Sequence, residues 1–219
     1  MYRQKRYDEC IKEVKSRLKS DPNSLHLLNY QAMACSSLER DNEALLSYQK
    51  INKVDPTLAG PHYNIGIILK RNGRVEEAID SYKRAISIKS DYVQAYNNLG
   101  VLYKDNEEYE NAIEMFTKAK ELKPDHQNSY YNLALIKQEQ GLNEEAIEFF
   151  LQVLDLNPEH NDAKYHMALI KKDIGQLEQS ERYVQEILKS DKENENAAIS
   201  LANILIESGR YHDGINCLR

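Results

Sequence analysis

Asparagine and tyrosine recur at a fixed spacing in this sequence, and both carry groups that form hydrogen bonds. Asn64, Asn98 and Asn132 follow one another at intervals of 34 residues. An asparagine side chain offers both a donor and an acceptor, which matches the donor and acceptor of one peptide unit. Neighbouring tyrosines add rigid apolar area with a polar tip. A row of such residues could hold an extended polypeptide with little regard to its side chains.

The same asparagines allow a second interpretation, in which their amides cap or bridge neighbouring helices. The row is interrupted where Tyr30, His166 and Ser200 occupy the equivalent positions. At most three units could therefore hold a peptide through asparagine. The spacing alone leaves the binding role and the bridging role open.

Residues for catalysis or metal binding form no recognisable pattern. The six histidines are scattered, and we interpret the loop residues His126 and His160 as surface polar groups. Glutamate pairs such as Glu76 and Glu77 begin helices, where acidic residues interact favourably with the positive helix end. No GxSxG, P-loop, HExxH or GxGxxG motif occurs. We expect no enzymatic activity, no catalytic residue, no metal and no cofactor.

The cysteines and the hydropathy indicate the cellular setting. Cys10, Cys35 and Cys217 are odd in number and far apart, which favours a reducing, cytoplasmic location. Each is predicted to be a small buried hydrophobic residue. Apolar runs such as residues 65–69 are too short to span a membrane, so no membrane insertion is expected.

The charge is acidic and uneven. Residues 1–58 hold ten Lys and Arg against eight Asp and Glu, whereas residues 59–219 hold nineteen against twenty-seven. A nucleic-acid surface requires a basic stripe, so we expect no nucleic-acid partner. The acidic part suits a basic or neutral partner.

The elements that position these residues are indicated by internal repetition. Four sets of mostly small residues, glycines or prolines recur in one 34-residue register. The sets are Cys10, Ala44, Ala78, Ala112, Ala146, Ser180 and Gly214; Pro22, Pro56, Pro124 and Pro158; Ala32, Gly66, Gly100, Ala134, Ala168 and Ala202; and Gly73, Gly141, Gly175 and Gly209, with Glu39 and Glu107 in the intervening places.

Each 34-residue unit is predicted to be a helical hairpin. Tyr109, Ala112, Ile113 and Phe116 have the i, i+3, i+4, i+7 spacing of an amphipathic helix. The glycines follow a first helix, which a left-handed residue ends, and the prolines follow a second helix, which they cannot continue. The small residues lie where the two helices approach closely. One hairpin cannot bury its own apolar stripe, so the hairpins must stack.

The sequence resembles the tetratricopeptide repeat family over essentially its whole length. The clearest unit reads Tyr96-x2-Leu99-Gly100-x2-Tyr103, then Ala112-x3-Phe116, then Pro124, in which only the first tryptophan of the family pattern is replaced. The likeness weakens from residue 161, where Lys164, Ser180 and Lys192 depart from the pattern.

The resemblance implies an all-α fold, a right-handed superhelical solenoid of 34-residue helix-turn-helix repeats. We expect residues 1–219 to form a single array that is part of a longer protein. Its full repeats are predicted at 25–58, 59–92, 93–126, 127–160 and 161–194, with a second helix alone in 1–24 and a partial repeat in 195–219.

In this family the first helix of each repeat lines a concave groove, where partners usually bind. The resemblance implies a protein-interaction scaffold that holds an extended peptide or a partner helix, within a multi-subunit assembly. The implied peptide-binding residues are Tyr63, Asn64, Lys70, Arg71, Asn97, Asn98, Lys104, Tyr131, Asn132, Tyr165 and His166.

Several alternatives follow from related proteins. The asparagine row resembles the repeat domain of the O-linked N-acetylglucosamine transferases, so the chain could be the substrate-recognition segment of a glycosyltransferase whose catalytic domain is absent. Self-association through uncapped terminal repeats is another possibility. RNA-binding pentatricopeptide arrays repeat every 35 residues and fit less well. The Hsp70/Hsp90 carboxylate clamp is not expected, since its basic slots hold Gly60, Tyr63, Gln94, Asn97 and Asn128.

Overall fold

The computed structural model describes residues 2–217, with side chains from residue 6 onward, and this part of the chain is helical without any strand. Most helices are 13 to 16 residues long, and short turns connect them. The helices are α1 (Tyr2–Arg17), α2 (Leu25–Ser37), α3 (Asp41–Val54), α4 (Ala59–Arg71), α5 (Val75–Ile88), α6 (Val93–Asp105), α7 (Tyr109–Leu122), α8 (Gln127–Glu139), α9 (Asn143–Leu156), α10 (Asn161–Asp173), α11 (Leu177–Ser190), α12 (Glu195–Glu207) and α13 (Tyr211–Asn216).

The even-numbered helices, from α2 to α12, each begin 34 residues after the one before. The predicted fold class, an all-α array of 34-residue helix-turn-helix repeats, is confirmed. That these repeats form one array within a longer protein stays a prediction. Residues 1, 218 and 219 of the expected terminal repeats lie outside the described residues.

The chain divides into two compact units, Met1–Met115 and Phe116–Arg219, and the division falls inside α7. In the first unit, each helix from α1 to α6 packs against the next helix in the chain. In the second unit, the same holds from α8 to α13. Each unit therefore consists of hairpins that bury their apolar stripes against their neighbours.

Small residues lie where the two helices of a hairpin approach. Ser180 of α11 is fully buried, and its hydroxyl donates to the carbonyl of Ala168 on α10 at 2.7 Å. A Cβ atom on Gly214 of α13 would lie 2.9 Å from the carbonyl oxygen of Ala202 on α12. The equivalent alanines Ala44, Ala78, Ala112 and Ala146 are also fully buried. Any larger side chain would push the two helices apart.

The cysteines only partly follow the expectation. Cys35 is fully buried as predicted, whereas the prediction for Cys10 is wrong, because its side chain is exposed. Cys10 takes the small-residue position of α1, which faces the first helix of its own hairpin in the other repeats. Among the described helices, none precedes α1, so nothing covers Cys10 in that way. Cys217 is half-buried.

Left-handed residues end the first helices, as the glycine spacing predicted. Gly73 has a φ of 71°, and its N–H donates to the carbonyl of Lys70 at 3.0 Å while Arg74 N–H donates to Leu69 at 2.9 Å. These two bonds satisfy carbonyls that the helix leaves unpaired. Two turns place a glutamate in the same conformation, with φ values of 57° at Glu39 and 62° at Glu107.

The close approach within the α4–α5 hairpin can be tested at Gly66. A Cβ atom there would lie 2.7 Å from Cε1 of Tyr82, whose ring is fully buried. We expect Gly66→Ala to lower the free energy of unfolding, measured in urea, by about 1 to 3 kcal/mol. Gly60→Ala is the matched control on the same helix, since its Cβ would meet no atom within 4 Å. Equal effects at both glycines would contradict the close approach.

Candidate functional site

The eleven peptide-binding candidates all lie on first helices. Those on α4 and α6 belong to the first unit, and those on α8 and α10 belong to the second. Tyr63 and Lys70 are seven residues apart on α4, as are Asn97 and Lys104 on α6, so each pair shares one helix face. Asn97 contributes little to a binding surface, because only 9% of it is exposed. The other candidates are half-buried or exposed.

Tyr63 connects two consecutive repeats in the first unit. The Nδ2 atom of Asn98 on α6 donates to its hydroxyl oxygen at 3.2 Å. Its ring packs against Tyr92 and Tyr82, with centroid distances of 4.9 and 5.8 Å. Burial raises the pKa of Tyr63, and the hydrogen bond from Asn98 opposes that shift. The Asn98 amide therefore bridges neighbouring helices, which is the second of the two roles that the spacing left open.

The other two asparagines of the row differ from Asn98. The Nδ2 atom of Asn132 donates to the carbonyl of Asn128, one turn earlier on α8, at 2.9 Å. Asn64 is half-buried, and its side chain forms no hydrogen bond with any residue from 6 to 217. Its donor and its acceptor are both available to a ligand. Within the row, only Asn64 keeps its whole amide unengaged by the described chain.

The basic candidates of the first unit face carboxylates. The Nζ atoms of Lys70 and Lys104 lie 3.6 and 3.3 Å from the two carboxylate oxygens of Asp105. Arg71 forms an ion pair with Asp41 of the preceding repeat. These pairs are partly exposed, so each stabilises the fold by no more than about 1 kcal/mol. The aspartates of these pairs nevertheless neutralise the basic side chains that a bound carboxylate would require.

Aromatic residues form a cluster in the second unit around Tyr131. Its ring stacks on His160 at a centroid distance of 5.0 Å and meets the edge of Phe150 at 5.9 Å. The interpretation of His160 as a simple surface residue is wrong. Its Nδ1 atom accepts a hydrogen bond from Ala163 N–H at 3.2 Å, so the ring caps α10. The position of His160 directly before a first helix was the signal in the sequence.

His166 takes the asparagine position of its repeat and contacts the repeat before it. Its Nδ1 atom lies 2.8 Å from Oε1 of Gln138 on α8, and its ring stacks on Phe150 at 5.4 Å. Burial lowers the pKa of His166, and the carboxylates of Asp162 and Glu139 oppose that shift. The ring is therefore neutral at pH 7.

Contacts between residues 35 positions apart recur on these helices. Asn98 lies against Tyr63, and the ring of His166 lies 6.0 Å from that of Tyr131. Lys172 pairs with Glu207 at 3.1 Å, in the same register as Lys70 with Asp105. The residues that could bind a partner therefore also hold consecutive repeats together.

Among the described residues, no group of three or more His, Cys, Asp or Glu side chains could hold a metal ion.

None of the helices that the structure describes is both long enough and apolar enough to cross a membrane.

The bridging role of Asn98 can be measured with a double-mutant cycle. We expect Tyr63→Phe and Asn98→Ala to destabilise the protein non-additively in urea unfolding, with a coupling of about 0.5 to 1.5 kcal/mol, because both remove the same hydrogen bond. Additive effects would show that the 3.2 Å contact contributes nothing to stability.

The burial of His166 makes stability depend on pH. Its pKa is lowered in the folded protein, so between an ordinary value of about 6.5 and that lower pKa the unfolded chain binds more protons. We expect the contribution of His166 to be complete above pH 6.5 and to be lost as the pH falls through this window. An NMR titration of the assigned ring should give a midpoint below 6.5, and a midpoint at or above 6.5 would contradict the burial.

Comparisons with known proteins agree with the repeat. Two family models match, one described as a TPR repeat over residues 68–107 and one as a tetratricopeptide repeat over residues 91–159. No curated protein sequence matches the chain. A crystal structure of MamA is 31% identical, with 73% of this chain and 92% of MamA covered and a TM-score of 0.65.

Two further solved structures share the fold at lower identity. PilF of Pseudomonas aeruginosa is 16% identical, with 96% of this chain and 90% of PilF covered and a TM-score of 0.75. YrrB, described as a TPR protein with an unusual peptide-binding site, is 18% identical, with 84% and 95% covered and a TM-score of 0.67.

Proposed function

The chain belongs to the tetratricopeptide repeat family, and we propose that its first helices bind an extended segment of a partner protein. The general function, a protein-interaction scaffold, follows from the repeats. The fold is typical of scaffolds without catalytic activity. The partner segment and its binding surface are the finer part of the proposal.

The observation that carries the proposal is the unengaged amide of Asn64. Polar side chains in partly buried positions usually find a partner in the protein or in water. Asn64 is half-buried beside Tyr63 and has no such partner within the described chain. A peptide unit offers one donor and one acceptor, so it can satisfy both ends of this amide.

The tyrosines beside the asparagines support the same ligand. Tyr63 and Tyr131 are half-buried, and ring contacts within their own repeats, with Tyr92 and His160 respectively, fix their positions. A side chain that is already ordered loses little conformational entropy when a ligand arrives, so more of the contact energy appears as affinity. Tyr165, on α10, is likewise half-buried.

The charges indicate which partners fit. Asp105 and Asp41 already face the basic candidates Lys70, Lys104 and Arg71. A partner carboxylate would have to displace these aspartates, whereas a neutral or basic segment would not. The proposal is therefore an extended segment bound through its backbone, and not a carboxylate clamp.

Affinity capture from an extract of the source cell tests the proposal. Captured partners are identified by mass spectrometry, and the segment they share is synthesised and titrated. We expect Asn64→Ala, Asn98→Ala and Asn132→Ala together to weaken binding by about tenfold or more, because each lost hydrogen bond contributes roughly 0.5 to 1.5 kcal/mol.

A matched control makes the same kind of change at the ends of the same first helices. Asn72→Ala, Asn106→Ala and Gln140→Ala remove three exposed amides at the C-terminal caps of α4, α6 and α8. We expect this control to bind like the wild type. If the asparagine triple variant is folded and still captures the same segment with unchanged affinity, the asparagines are purely structural.

A further inference from the structure

A small cavity opens in the second unit, where three helices meet. It has a volume of about 100 Å³ and lies between the start of α10, the end of α11 and the start of α12. None of the peptide-binding candidates except Tyr165 belongs to it. Its lining residues are Asn161, Asp162, Tyr165, Ile187, Asn194 and Asn196.

The walls of the cavity are fixed by hydrogen bonds and packing. The hydroxyl oxygen of Ser190 lies 3.2 Å from Nδ2 and 3.3 Å from Oδ1 of Asn161. These two contacts connect the start of α10 to the end of α11. Asn194 caps α12 by accepting from Ala197 N–H at 3.0 Å. Ile187 is 1% exposed and forms an apolar floor. The shape is therefore set before any ligand arrives.

Two exposed lining groups, on Asp162 and Asn196, form no hydrogen bond with the described chain. Across the part of the chain that the structure describes, the carboxylate of Asp162 forms no hydrogen bond and no ion pair, and the amide of Asn196 forms no hydrogen bond. Tyr165 adds an aromatic ring. A carboxylate, amide oxygens and an aromatic face are the groups that bind an ammonium or guanidinium ion.

The partial charges of the helix ends do not reverse the preference of the cavity for a cation. The starts of α10 and α12 each carry about half a positive charge. At each start, however, one free N–H group already donates to a capping side chain, that of His160 at α10 and that of Asn194 at α12. The end of α11, which carries the opposite partial charge, also borders the cavity. The full negative charge of Asp162 therefore makes the cavity favour a cation over an anion.

The net charge of the surrounding chain also favours a cationic ligand. Residues 116–219 hold twelve Lys and Arg against eighteen Asp and Glu, whereas residues 1–115 hold seventeen of each. The whole formal net charge of −6 therefore belongs to the second unit. Such a field raises the local concentration of basic ligands.

We infer that the cavity lined by Asp162, Tyr165 and Asn196 binds the cationic side chain of an arginine or lysine in the partner segment. Asp162 neutralises the charge, the ring of Tyr165 covers one face of the cation, and the side-chain oxygen of Asn196 accepts a further hydrogen bond. This inference rests on the proposed function and deepens it, since it adds a preference for a basic side chain to peptide binding by the first helices of the second unit.

An NMR titration tests the cavity directly. The probes are the blocked single residues N-acetyl-arginine methylamide, its lysine analogue and its citrulline analogue, which keeps the shape of arginine without its charge. We expect saturable shifts of the side-chain amides of Asn161 and Asn196 with the arginine or lysine probe, with a Kd of about 1 mM. The response to each of these two probes shows which cation is preferred.

The variants separate a charge effect from a structural one. Asp162→Asn should weaken binding of the cationic probe by about tenfold or more, because it removes the charged acceptor. Asp173→Asn is the matched control, since it makes the same change about 16 Å further along α10. Thermal unfolding confirms that both variants fold.

The possible outcomes are distinct. No saturable shift with either cationic probe, equal binding of the citrulline probe, or unchanged binding by a folded Asp162→Asn variant would overturn the inference, and Asp162 would then only stabilise the start of α10. Because the probes contain a single residue, this result is independent of the capture experiment. Loss of peptide binding in the asparagine triple variant would still support the proposed function.

Discussion

The close approach of the two helices in each hairpin is the constraint on which the rest of the structure depends. The hydroxyl of Ser180 reaches the carbonyl of Ala168, and Gly214 leaves no room for a side chain against Ala202. Because the helices touch here, their apolar residues interlock, and the remaining faces are left for neighbouring hairpins and for the peptide ligand that we propose. The small residues thereby fix which side of each first helix stays accessible.

The accessible side is not separate from the packing between repeats. Tyr63 with Asn98, and Tyr131 with His166, join consecutive first helices within their units. A surface whose residues are also packing contacts is held in place before binding, which lowers the entropic cost of a complex. It also means that a substitution chosen to weaken binding affects stability, so matched controls at the helix ends are needed.

The sequence predicted the periodic features well, because they follow from local physics. The 34-residue register, the helical hairpins and the left-handed turn at Gly73 are confirmed. The specific contacts could not be predicted in this way. That Asn98 bonds to Tyr63, or that Asp105 faces two lysines, depends on how far neighbouring repeats approach. Periodicity says which residues share a face, but not which atoms meet.

The cavity beside Asp162 illustrates the same limit, since its walls come from three helices and no motif connects its lining residues. Cys10 differs from its equivalents for a related reason: the residue type follows the repeat, whereas burial depends on what lies opposite.

The glutamates at the two left-handed turns have a consequence for protein engineering. Holding a non-glycine residue in this conformation costs about 1 to 2 kcal/mol of stability. Both Glu39 and Glu107 are exposed, and neither is one of the peptide-binding candidates. Glycine at these two places would relieve that strain, less its own entropic cost of roughly 0.5 to 1 kcal/mol. The scaffold therefore holds a reserve of stability that a designer could recover without altering any of the peptide-binding candidates.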